Sequence, residues 1–408
     1  MTAAMLINVI GRGGDVFENV RYLVFENHEP WRRQLALARR ALAIYRTLRT
    51  AEVVTQDADG VIRLTLDLQP NFALNQPLSP FALAMFDLLE PENSPTGHYA
   101  LDMISVIEAT LDDPRPVTSQ QEFLARGEAV AAMKAEGIEY EQRMDLLEEI
   151  THPMPLKEFL DAAFATYSAS QAWVTDFELH PKSVVRDMYE RAMTFGDYIN
   201  YYKLARSEGL VLRYLSDAYR AARQTIPDEA KTEDLLDLIE WLGELVRQVD
   251  SSLLDEWDEL INPGEVVDGK PVLPPAPPGV TTNPRAFRVL VRNELFRRVQ
   301  LAALEKWDEL GELDAASGFD ADRWADSLDA YFDEYDAAPG PLIGTDADAR
   351  SSAMLQITEG PTEWFARQIL ADPAGDHDWG ISATIDLAES NEEGVAVLRV
   401  VAVGPLTA

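Results

Sequence analysis

Apolar residues recur at helical spacing along most of this chain, and the breaks in that period define its parts. Residues 31–49 place Leu35, Ala38, Leu42 and Tyr45 on one side of a helix. Two short runs follow, Ala51–Thr55 and Val61–Leu66, around Asp57-Ala58-Asp59-Gly60. An Asp-Gly turn between β-prone runs predicts a hairpin. Helix followed by hairpin is how a winged-helix domain ends. From Ser79 to Ile261 the pattern predicts almost continuous helix, in segments near 79–90, 99–112, 118–135, 139–150, 155–172, 181–194, 196–206, 207–223 and 231–261. Pro91, Pro114, Gly137, Pro153, Pro181 and Pro227 fall at the junctions, where a helix must end. The last segment carries the stripe Leu235, Ile239, Leu242, Leu245, Val246 and Val249 behind Thr232.

The period is lost at residues 262–284, where seven prolines favour extended polyproline II and exclude helix, as in a linker. Helices are predicted again at 285–310 and 320–336. The tail changes to alternation, apolar at 379, 381, 383, 385 and 387, with a turn at Asn391–Gly394 leading into Val395–Val403. With a short helix expected at 361–370, this reads as a small α+β domain, for which a cone-shaped, nuclear-transport-factor-like fold is one expectation. The fold class is therefore mainly α: a winged-helix-like domain at 1–78, a helical bundle at 79–261, a linker at 262–284 and an α plus α+β region at 285–408.

Composition narrows the functions available. The chain has 408 residues and 47% hydrophobic composition, enough for two or three cores. It has no run near the roughly 18 apolar residues of a membrane span, and no basic segment precedes the short apolar run at its start. Both point to a cytoplasmic protein without a membrane partner. Absence of cysteine excludes disulfides and thiolate metal sites. A formal charge of −35 opposes long-range attraction to phosphate. The charge is uneven, however. Residues 31–50 hold six arginines and no acid, and 182–223 hold eight Lys or Arg against five acids, whereas 224–263 and 305–336 each hold twelve acids against two bases. Such basic patches on an acidic body suit a strand running over one surface, or are ordinary solvated helix faces.

Catalytic signatures are missing. No G-x-x-x-x-G-K-[ST] loop is present to cradle nucleotide phosphates, and no Asp-Glu-Ala-Asp or Asp-Glu-x-His box follows a strand; Gly11-Arg-Gly-Gly14 lacks the lysine and the spacing. The five histidines are scattered, and Glu149-Ile-Thr-His152 is a single E-x-x-H where a di-iron bundle needs two. Gly375-Asp376-His377-Asp378 reads as a turn before a strand. Pairs such as Asp255-Glu256, Asp258-Glu259 and Asp333-Glu334 point apart on a helix and are solvated faces. No catalytic residue, metal or cofactor is assigned.

The most specific stretch is Leu204–Arg223, LARSEGLVLRYLSDAYRAAR. Its periodicity predicts a helix with Leu210, Leu212, Leu215 and Tyr219 on a core and Arg206, Arg213, Arg220 and Arg223 at its polar positions. Tyr189, Phe195, Tyr198, Tyr201, Tyr202 and Tyr214 interleave with Lys182, Arg186, Arg191, Lys203, Arg206 and Arg213. Aromatic platforms beside phosphate-binding cations hold single strands without sequence choice, though tyrosines at helical spacing also build cores.

The kernel Glu208-Gly-Leu-Val-Leu-Arg213 resembles the acidic-Gly-apolar-apolar-Arg element of superkiller-type RNA helicases, where it sits in a "ratchet" bundle touching the outgoing strand. Further blocks extend the resemblance to the C-terminal half of actinobacterial DEAD/DEAH-box superfamily-two helicases. Met5–Ile10 looks like the exit from a motor domain, and Arg39–Arg46 with the hairpin looks like the winged helix. Ala100–Pro114 and Met188–Phe195 look like the bundle, and Trp241–Trp257 is similar to that subgroup's C-terminal domain of unknown function. The resemblance covers most of residues 1–261, without the two RecA-like motor domains. It implies a non-catalytic accessory region that guides single-stranded RNA or DNA beside a motor supplied in trans. Arg206, Glu208, Arg213, Arg220, Lys182, Arg186, Arg32, Arg33, Arg39 and Arg40 are the candidate nucleic-acid contacts. The alternative is an acidic helical scaffold that docks a basic partner.

Overall fold

A computed structural model of the chain describes residues 5–6, 9–10, 14–50, 54–57, 60–64, 78–170, 174, 177–250, 279–335 and 340–405. The chain is mainly helical, with a small antiparallel four-stranded sheet near its C-terminus. It divides into two compact units, Met1–Val185 with Tyr202–Leu235, and Arg186–Tyr201 with Leu236–Ala408. The division therefore runs inside the stretch expected to be one bundle. Most of the expected linker, like the acidic pairs at 255–259, lies outside the described residues; Pro284 at its end opens a helix.

The first unit begins with α1 (Val16–Phe25) and α2 (Trp31–Thr50). They lead into the hairpin of β1 (Val54–Gln56) and β2 (Ile62–Leu64), paired antiparallel from Val54–Leu64 to Gln56–Ile62. Helix followed by hairpin is the order the sequence predicts. The buried side of α2 differs from the expected one. Gln34, Ala41 and Ile44 are buried, while Leu35 and Leu42 are 36% and 50% exposed. Gln34 explains the rotation, since its amide donates to the carbonyls of Phe25 and Asn27 at 3.1 Å each and ties α2 to the end of α1.

The bundle of this unit comprises α3 (Ser79–Phe86), α4 (Tyr99–Thr110), α5 (Arg115–Ala135), α6 (Tyr140–Glu148) and α7 (Lys157–Ser170). Then α8 (Val185–Glu190) and α9 (Phe195–Tyr201) precede α10 (Glu208–Thr225) and α11 (Glu233–Val249). Helix α4 is buried along nearly its whole length, including Asp102 and Glu108. The stripe predicted for α11 is buried from Leu235 to Val246 and emerges at Val249, 42% exposed.

A helix was expected over 181–194, but only 185–190 is helical. The segment before it is not helical because its backbone groups are claimed elsewhere. His180 N–H donates to the Ala109 carbonyl at 3.0 Å, and the Ser183 carbonyl accepts from Gln121 at 2.5 Å. Val184 and Val185 N–H donate to Glu108 Oε1 at 2.8 and 3.0 Å. Lys182 follows the chain inward, and its ammonium donates to the carbonyls of Glu108, Leu111 and His180 at 2.6, 2.7 and 3.0 Å. The Tyr214 hydroxyl of α10 donates to Glu108 Oε1 at 2.9 Å. One carboxylate and one ammonium thus fasten α4, the 180–185 segment and α10. Burial pushes the Lys182 ammonium down to about 8, against the pull of Glu108, Asp113 and Asp112. Burial also raises Glu108, opposed by its hydrogen bonds and Lys182.

The second unit is built on α12 (Pro284–Ala303), α13 (Trp307–Asp314) and α14 (Ala321–Tyr335). Beyond them lie β3 (Leu355–Thr358), β4 (Glu363–Ile369), β5 (Trp379–Asp386), α15 (Leu387–Glu393) and β6 (Leu398–Pro405). The strands pair antiparallel in the order β3-β4-β5-β6. Phe287, Phe296, Trp324 and Tyr331 from the helices share one core with Trp364, Trp379, Ile381 and Val400 from the sheet. At the start of the α13–α14 pair, Gly311 packs so closely that a Cβ would lie 2.5 Å from the Ala321 amide nitrogen.

Two expectations for the tail fail here. Residues 363–369 form a strand, not the helix expected at 361–370. Trp364, Ala366 and Gln368 point inward at period two, and pairing with β5 overrides the helix-compatible composition of Glu-Trp-Phe-Ala-Arg-Gln. The turn expected at 391–394 is the end of α15, capped at its start by Asp386 and closed by Gly394 at φ +72°. The helix expected over 285–310 also breaks, at Glu305 (φ +53°).

Because Glu108 would be left buried without its cation, Lys182→Met is expected to lower the unfolding free energy by roughly 3–5 kcal/mol. Tyr214→Phe removes one hydrogen bond to the same carboxylate and is expected to cost about 1.5–3 kcal/mol. Urea unfolding measures both.

Candidate nucleic-acid interface

Helix α10 is amphipathic with a sharply defined core side. Val211, Tyr214, Leu215, Ala218, Tyr219 and Ala222 are buried at three- and four-residue spacing. Leu210, expected in the core, is 41% exposed, and Leu212 is half-buried. The helix is turned slightly from the predicted register because the Tyr214 hydroxyl is drawn to Glu108. Arg206, in the 3-10 turn Ala205–Ser207, is exposed, as are Glu208 and Gly209. The Arg213 side chain is 86% exposed.

Arg213 and Arg220 flank a single acid, Asp217, at 3.9 and 3.8 Å. The spacing of four and three residues puts all three on one helix side. Burial raises the Asp217 carboxyl above the usual carboxylate range, against the pull of Arg220 and Arg213 and with a contribution from Asp112. At this distance and exposure the Arg213 pair contributes little, so a phosphate oxygen can replace Asp217 as its partner. Arg220 is partly buried, and Arg223 packs over the Tyr219 ring with a 2.6 Å hydrogen bond to its hydroxyl. Asp217 was missing from the candidate residues, although its spacing from both arginines is readable in the sequence.

Lys182 is not a phosphate contact. It is 1% exposed, and three carbonyls occupy its ammonium. Arg186 is also buried, pairs with Glu190 at 2.8 Å and belongs to the other unit. The expected aromatic interleaving dissolves likewise: Tyr198, Tyr202 and Tyr214 are core residues. Tyr201 is 38% exposed in the second unit, with the Arg191 guanidinium 5.2 Å above its ring. On α2, Arg32, Arg33, Arg39 and Arg40 are all exposed; Arg33 pairs with Glu29 at 3.3 Å. The structure therefore sorts the ten candidates. Arg206, Glu208 and Arg213 lie outward at the start of α10, Arg220 is partly covered beside them, four arginines lie outward on α2, and two cations are internal.

Among the described residues, no group of three His, Cys, Asp or Glu side chains is placed to hold a metal ion. His152 hydrogen-bonds the Pro181 carbonyl at 3.2 Å, a structural role for the lone E-x-x-H. Asp376 and His377 donate backbone N–H groups to Asp372, which makes 375–378 a turn. No described helix is long and apolar enough to cross a membrane.

With this geometry in view, the chain belongs to a family defined by a domain of unknown function, DUF3516, whose model matches residues 1–403. No curated protein and no solved structure matches it.

Among the described residues, the recorded polar contact of Arg213 is its loose one with Asp217. Arg213→Ala is therefore expected to change the unfolding free energy by less than about 0.5 kcal/mol. A thermal melt superimposable on that of the parent protein checks this.

Proposed function

We propose that this chain is a non-catalytic, helicase-associated region that guides single-stranded RNA or DNA, with an ATP-driven motor supplied outside these 408 residues. The reading joins the resemblance of Glu208–Arg213 to a helicase ratchet element with one structural observation. Arg206 and Arg213 stand outward at the start of a helix whose inner side is fastened to a buried carboxylate. A cation presented from a fixed helix holds phosphate at a defined place without choosing a base.

The acidic remainder of the chain opposes a strand elsewhere, which confines it to the start of α10 and keeps unassisted binding weak. Nothing in the reading requires nucleotide hydrolysis by this chain, in keeping with the missing phosphate-cradling loop.

Fluorescence anisotropy with a labelled single-stranded RNA, at low and at physiological salt and beside a duplex control, tests the proposal. Salt-sensitive binding that prefers the single strand is expected. Arg206→Ala combined with Arg213→Ala should weaken it and flatten the slope of log K against log salt by about 1.4, two single-strand phosphate contacts being lost. Unchanged affinity in the double variant overturns the site, and no binding at low salt overturns the function.

A further inference from the structure

The outward turn of Leu35 and Leu42 gives α2 a surface that the nucleic-acid reading does not use. Between α1 and α2 lies a pocket of about 170 Å³, lined by residues that include Val20, Val24, Ala38, Ala41 and Ile62. A cavity of about 150 Å³ accommodates a benzene ring, so this pocket takes one large apolar side chain. Phe17 and Leu42 form its rim and are 57% and 50% exposed. Tyr45 also lines it, with its hydroxyl buried and without a hydrogen-bond partner.

Charge completes the pattern. On α2, Leu35 and Leu42 are seven residues apart, two helical turns, and make one outward row. Arg32, Arg39 and Arg46 repeat at the same interval and make a neighbouring row, all three exposed. No acid occurs between Trp31 and Thr50, and Arg21 of α1 adds a cation to the pocket wall. An apolar seam edged by one sign of charge is how a helix selects a partner helix of the opposite sign.

We propose that the α1–α2 pair is a docking surface for an acidic amphipathic helix of a partner protein. One large apolar side chain of that helix enters the pocket, a second lies on Leu35, and its carboxylates face Arg32, Arg39 and Arg46. A nucleic acid fits less well, because the mostly aliphatic floor gives base edges no hydrogen-bond partner apart from one buried phenol. The net charge of −35 repels an acidic helix elsewhere on the chain, which directs it to this surface.

The probe is a fluorescein-labelled synthetic helical peptide with leucines at alternating three- and four-residue spacing and glutamates between them. It is titrated with the full 408-residue protein, beside a peptide carrying lysines in place of the glutamates. Saturable binding of the glutamate peptide alone is expected. Arg32→Glu with Arg39→Glu and Arg46→Glu should weaken it about tenfold and transfer preference to the lysine peptide. Phe17→Ser with Leu42→Ser should abolish the binding of either peptide while leaving the circular dichroism spectrum unchanged. The proposal is overturned if the charge reversal leaves affinity unchanged, if neither peptide binds, or if single-stranded RNA displaces the glutamate peptide. Arg206→Ala with Arg213→Ala separates this surface from the strand-guiding one: it should leave peptide binding intact.

Discussion

A buried carboxylate and a buried ammonium organise the first unit. Glu108 and Lys182 are both withdrawn from water, which is tolerable because three carbonyls take the ammonium and two backbone N–H groups and a phenol take the carboxylate. The pair does not add a contact to an existing bundle; it decides which segments meet. The carboxylate takes two backbone N–H groups that would otherwise open α8 a turn earlier, so residues 181–184 stay outside the helix. The same oxygen holds Tyr214 and thereby sets the rotation of α10. Which residues of that helix face outward, Arg213 among them, follows from a carboxylate on α4.

The second unit uses its cations in a comparable way. Asp237 takes Arg285 at 3.0 Å and Arg292 at 2.9 Å, and Asp314 takes Arg298 through two guanidinium nitrogens. Arg350 is buried without a carboxylate. It lies 3.5 Å over the Tyr189 ring and donates to the Asn293 side chain at 2.7 Å. Burial pushes it down to about 10, with Tyr189 opposing and Arg292 adding to the shift. Charge counted along the sequence therefore overstates what these stretches offer to a ligand. Within residues 182–223, Lys182 and Arg186 act internally, and Arg223 packs on a tyrosine.

What sequence reading captured was largely local. The N-terminal hairpin, most helix positions and the strand β5 follow from period and turn chemistry, which need only neighbouring residues. The misses share a different cause. Residues 363–369 have a composition compatible with helix and become a strand because β3 and β5 flank them. Leu35 and Leu42 follow an apolar period, but Gln34 wins the inward position by reaching the carbonyls of Phe25, the last residue of α1, and of Asn27 just past it. Lys182 was read as a surface cation because a buried lysine is exceptional, and its acceptors at residues 108 and 111 are distant in sequence. At the candidate interface the outward placement of Arg206 and Arg213 was legible, whereas the covering of Arg220 depends on packing.

The way Lys182 is held also bears on how the family's sequences can diverge. All three of its acceptors are main-chain carbonyls, those of Glu108, Leu111 and His180. Every residue type carries that oxygen, so this bonding places no demand on the side chains at 111 and 180. It restricts 182 to a side chain long enough to reach the knot and rich enough in protons to fill it. Position 108 is restricted in turn, because its side chain must accept two amide protons and a phenol. The knot's own bonding thus fixes the chemistry of two side chains, while Leu111, Val184 and Val185 around it answer to the core they are buried in.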